Sequence, residues 1–79
     1  MNEDEIKLWA FYYNPMKEES ASYIESYHRT EEGAIKAMEK HKQKEKIEYN
    51  KTRYGKLNPS RFGQFEMWYV GPFTLKIEE

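Results

Sequence analysis

Residues 6–13 read Ile-Lys-Leu-Trp-Ala-Phe-Tyr-Tyr, a run dense in aromatic and β-branched side chains whose two alternating faces are both largely apolar. One face is Ile6, Leu8, Ala10 and Tyr12; the other is Lys7, Trp9, Phe11 and Tyr13. A strand at the edge of a sheet, or covered on one side only, shows an apolar–polar alternation; a strand apolar on both sides belongs in the middle. The chain must therefore supply a neighbour on each side of this segment, and 79 residues give material for one domain from 1 to 79.

The neighbours can be read in order. Asn14-Pro15 ends the first strand, because proline lacks the ladder donor and forces its predecessor toward turn geometry. Residues 16–20 read as a polar loop and about 21–28 as a second strand, with Tyr23 and Tyr27 alternating against Ile24 and polar residues. Thr30 followed by Glu31 and Glu32 is a helix start, a hydroxyl N-cap with two carboxylates over the orphan N–H groups. Ala34, Ile35, Ala37, Met38 and His41 recur at three and four residues, so a helix is expected over about 31–53 with a narrow stripe of small residues. Gly33 in its first turn points to close packing there. Tyr54-Gly55 reads as a stop and about 55–63 as a loop. The alternation over about 64–77 is a last long strand, with a bulge or bend expected at Gly71-Pro72.

The order strand, strand, helix, strand yields an α+β fold: an antiparallel or mixed three-stranded sheet in the order 2-1-3 with one long helix on one face, ββαβ. One helix covers one face. If the small residues Ile6, Leu8 and Ala10 lie under it, the rings of Trp9, Phe11, Tyr13 and Trp68 stand on the uncovered side as a patch larger than monomers commonly leave open. The 55–65 segment, a second copy of the chain, a partner protein or stacked nucleic-acid bases are the candidate covers.

Charge is near balance overall, 13 Lys+Arg against 14 Asp+Glu, but it is segregated. Residues 1–35 carry 3 basic and 8 acidic groups, residues 36–61 carry 9 and 3, and residues 62–79 carry 1 and 3. The middle block offers Lys36, Lys40, Lys44, Lys51, Arg53, Lys56 and Arg61 as phosphate contacts, with Tyr49 and Tyr54 for stacking; read plainly, it is a solvated helix face laced by Glu39, Glu45 and Glu48.

Catalytic chemistry is scarce. The chain has no Cys, one Asp and two His, and shows no Gly-rich phosphate loop, nucleophile elbow or metal-spaced His pair. His28 reads as a turn residue with a base or pH switch as its functional alternative, and His41 with Glu45 four residues on makes a weak metal pair. No enzyme, cofactor, metal or membrane partner is expected, and without an apolar run or signal segment the chain is expected to be soluble and cytoplasmic.

The run Tyr27 to Ala34 (Tyr-His-Arg-Thr-Glu-Glu-Gly-Ala), the Lys/Glu-rich helix and the closing Phe65 to Glu79 (Phe-Glu-Met-Trp-Tyr-Val-Gly-Pro-Phe-Thr-Leu-Lys-Ile-Glu-Glu) resemble small early proteins of tailed, T-even-like phages. The resemblance is one of pattern across most of the chain and carries no functional residue. It implies a non-enzymatic phage protein acting in the host cell that inhibits or redirects a host or anti-phage defence protein. On the residues themselves, Trp9, Phe11, Tyr13 and Trp68 are the expected anchors for such a partner. The alternatives are an RNA- or DNA-binding module using the lysine-rich block and a structural homodimer.

Overall fold

The structure, a computed structural model, describes residues 5–16, 22–64 and 66–76. Its elements are β1 (Glu5–Asn14), β2 (Tyr23–His28), α1 (Glu31–Lys51), α2 (Arg53–Leu57), a 3-10 turn (Pro59–Arg61) and β3 (Met67–Lys76). The three strands form one antiparallel sheet in the order β2-β1-β3, so the strand with two apolar faces is central, as its sequence requires. The fold is α+β with the ββαβ order. The expected loop over 16–20 and the strand ends at Ala21, Phe65 and Ile77 fall wholly or partly outside the described residues.

α1 begins where the cap was expected. Thr30 has extended backbone (φ −127°, ψ 153°), and its hydroxyl accepts from Gly33 N–H at 3.0 Å, with Glu31 and Glu32 in the first turn. A Cβ on Gly33 would stand 3.1 Å from that hydroxyl and 3.6 Å from the His28 Cβ, which accounts for the glycine. The helix ends two residues earlier than expected. Thr52 is extended (ψ 156°), its hydroxyl donates to the Tyr49 carbonyl at 2.7 Å and accepts from Gly55 N–H at 2.9 Å, closing one helix and capping the next. Tyr54-Gly55 is therefore not a stop but the interior of α2, and the expected 55–63 loop holds the end of α2 and a 3-10 turn.

The irregularity in the sheet also lies elsewhere than expected. β1 and β3 pair without a break from Glu5↔Lys76 to Asn14↔Met67, straight through Gly71 and Pro72. Pro72 is tolerated because β3 is an edge strand whose outer side needs no donor. The bulge is in β2, where Phe11 pairs with Ser26 but Tyr12 with Ile24, leaving Glu25 as the extra residue.

The helix lies on the opposite face of the sheet from the one expected. Phe11 and Tyr13 are 2% and 8% exposed and pack against His41 of α1, with ring centroids 5.3 and 4.6 Å apart. Trp68 lies opposite Tyr13 in the register and joins them. Ile6, Leu8 and Ala10, which were expected beneath the helix, have the other parity and face away. Size complementarity explains the choice: a stripe of small side chains such as Ala34 and Ala37 leaves a gap that other small residues cannot fill, whereas rings rising from the sheet fill it.

Candidate interaction surface

Parity and register define the face turned away from α1. β1 contributes Ile6, Leu8, Ala10 and Tyr12, β3 contributes Met67, Tyr69, Gly71, Phe73 and Leu75, and β2 contributes Ile24 and Tyr27. No Lys, Arg, Asp or Glu of the described strands points this way: Glu5, Lys7 and Lys76 have the opposite parity, and bulged Glu25 reaches His41 on the helix side. In a chain with 34% charged residues, this segregation makes the sheet strictly two-sided.

Small residues at the centre organise the rings around them. Ala10 pairs with Tyr27 on one side and Gly71 on the other, a low floor over which the Tyr27 and Phe73 rings meet at 5.1 Å. Tyr12 and Tyr69, directly paired across the ladder, stack at 4.8 Å with ring planes 9° apart. Ala10 is fully covered, yet Tyr27 and Tyr69 stay 51% and 38% exposed, and Leu75 beside them 44%. At one end, Ser22 Oγ accepts from Asn14 Nδ2 at 3.0 Å and from the Tyr69 hydroxyl at 3.2 Å, a polar rim.

Of the aromatic residues singled out from sequence, Phe11 and Tyr13 are core, and Trp9 and Trp68 are half-buried on the helix side. Within the 55–65 segment, one candidate cover for an open face, Phe62 lies on the helix side too, packing on Trp68 at 5.6 Å and on Tyr49 at 5.5 Å. Lys42 Nζ stands 5.3 Å from the Trp68 ring centre. Both arms of the pattern were visible in the sequence, since the even-numbered residues of β1 and the odd-numbered residues of β3 each form an apolar set. What the sequence does not carry is which of two apolar faces the helix selects.

The centre of the covered side is His41. Trp68 Nε1–H donates to its Nδ1 at 3.0 Å; an indole can only donate, so Nδ1 accepts and Nε2 carries the proton. Nε2 lies 4.0 Å from a carboxylate oxygen of both Glu25 and Glu45; the Glu45 contact is the i,i+4 spacing of the helix, whereas the Glu25 contact is made at the β2 bulge and is invisible in sequence spacing. Among the described residues no group of three or more His, Cys, Asp or Glu side chains is placed to hold a metal ion. A metal on Nε2 would leave the proton on Nδ1, pointing at the Trp68 N–H, so the two donors would confront each other. Beside it, Tyr13 donates to Glu66 at 3.1 Å, and burial first, then that carboxylate, push its ionisation far above the ordinary phenol range. His28 is engaged locally, its Nε2 2.7 Å from the Ser26 hydroxyl.

The basic residues converge only in part, with Lys36, Lys40 and Lys44 following one another at i+4 along α1. Lys40 and Lys44 border a shallow groove of about 270 Å³ between α1 and β2, with Phe11, Ala37 and Glu25 in its walls, while Lys42 and Lys46 border another beside Phe62. Lys36 and Lys51 pair with Glu32 and Glu48 at 3.3 and 3.4 Å. Arg61 reaches the Tyr54 hydroxyl from outside the helix, and Arg53 and Lys56 sit on α2. Tyr49 is occupied as well, donating to the Asn58 carbonyl at 2.6 Å.

Comparison with protein-family models, with curated proteins and with solved structures finds no match to this chain. Among the described residues no helix is long and apolar enough to cross a membrane.

Proposed function

We propose that this protein is a non-enzymatic protein-binding module whose working surface is the open sheet face around Tyr12, Tyr27, Tyr69 and Phe73. The observation that supports it is the absence of charge, among the described strand residues, from an aromatic face on which Tyr27 and Tyr69 are exposed, in a chain otherwise dense in charge. Such a face fits an apolar, uncharged protein surface, and tyrosines are well suited to it because they bring large contact area with few rotatable bonds. Within the partner class implied by the likeness to phage early proteins, a host or defence protein, it selects one with an apolar docking surface. The nucleic-acid reading draws less support: two of its cations, Lys36 and Lys51, are paired with Glu32 and Glu48, and the open rings lie across the sheet from α1.

A photo-crosslinking side chain placed at Tyr27, compared with one at Lys44 on the helix, tests the reading in cells. The expected result is protein adducts from position 27 that survive nuclease and high salt. Adducts from position 44 alone, removed by nuclease, would overturn it in favour of nucleic acid.

A further inference from the structure

Resting on the reading that the open sheet face binds protein, we propose that a second copy of this chain closes that face when no other partner is present, giving a sandwich of two sheets with the helices outside. Three features of the face argue for this occupant. The first is its electrostatics. In a two-fold interface each residue near the axis meets its own counterpart, so any charge there would face a like charge; among the described strand residues the Tyr12, Tyr27, Tyr69 and Phe73 surface has none to oppose itself. The second is its extent. Tyr27, Leu75, Met67, Ile6 and Tyr69 leave about 430 Å² open per copy if a large side chain presents about 200 Å², and the half-buried Leu8, Tyr12, Ile24 and Phe73 bring the face to about 600 Å². Two copies would bury about 1,200 Å², the lower end of specific interfaces, while about 600 Å² is at the upper end of what monomers leave bare. The third is shape: identical sheets share one twist, and sheets of equal twist pack face to face about 10 Å apart with strands offset by about 30°.

The consequence is a competition, since an outside partner and the second copy would use the same rings. Sedimentation of the purified full chain tests the proposal. Wild type should run at twice the 9.6 kDa of one chain, and Tyr27→Lys and Leu75→Lys, each folded by circular dichroism, should each raise the dissociation constant at least about tenfold. Lys40→Glu on α1 should leave the mass unchanged. A wild-type chain still monomeric at about 0.5 mM, beyond the weakest affinity useful for such an area, overturns the second copy; protein adducts from position 27 would then leave the binding face itself standing. A dimer indifferent to both lysines and dissociated by Lys40→Glu would overturn the two together.

Discussion

Phe11→Ala set against Tyr27→Ala measures which side of the sheet is core. Both remove an aromatic side chain, from adjacent strands of the same sheet. Phe11 is 2% exposed beneath α1 with its ring edge on His41, and truncation there should cost about 3–5 kcal/mol, the range for emptying a buried Phe site. Tyr27, 51% exposed on the other face, should cost about 1 kcal/mol within the monomer. A chain of 79 residues has about 4–12 kcal/mol in all. With a urea slope near 1 kcal/mol/M for so small a domain, Phe11→Ala should lower the midpoint by about 3–5 M or abolish the cooperative transition, and Tyr27→Ala by about 1 M. The assay is urea unfolding followed by far-ultraviolet circular dichroism, at a protein concentration where the midpoint no longer depends on concentration. A Phe11→Ala midpoint within about 1 M of wild type would refute the placement of α1 on the Phe11 and Tyr13 face.

Two further outcomes follow from local geometry. Gly55→Ala would drive a Cβ into the Tyr49 carbonyl and force α2 off the end of α1; the thermal midpoint should fall by more than about 5 °C, and a midpoint at or above wild type would remove Gly55 from its role at the corner. The Tyr13 hydroxyl is held protonated in the folded chain by burial and by Glu66, whereas unfolded tyrosine ionises near pH 10. The stability due to this hydroxyl is thus full below about pH 10 and declines as pH rises beyond it, because the unfolded chain then releases a proton that the folded chain keeps. The deficit of Tyr13→Phe relative to wild type, read from urea midpoints, should shrink between about pH 9 and 11; a constant deficit would contradict the account.

The architecture was legible because its signals are local. Residues 6–13 announce a central strand, Thr30-Glu31-Glu32 a helix start, and the alternation after Gln64 a last strand, and strand order follows from connection rules. The side taken by the helix was not legible, because Ile6, Leu8, Ala10 and Tyr12 are as apolar as Trp9, Phe11 and Tyr13, and no period distinguishes two apolar faces. Size matching across the layer decides it, and that is a property of the assembled core. The bulge at Glu25 was hidden for a related reason: it depends on the pairing with Phe11 and Tyr12, and it carries the carboxylate to His41 from a strand 16 residues away in sequence. Thr52 was missed because a threonine that closes one helix and caps the next looks, in sequence, like one more polar residue in a charged run.

The two outer strands show how such a layer avoids growing without limit. A short β-layer with unpaired margins is a template to which further strands can add, and endless addition ends in fibrils. Here one margin is kinked at Glu25 and the other is interrupted at Pro72, so neither offers a clean row of donors and acceptors to an incoming ribbon. Lateral recruitment is discouraged, so the face-to-face pairing proposed above would stay finite and countable.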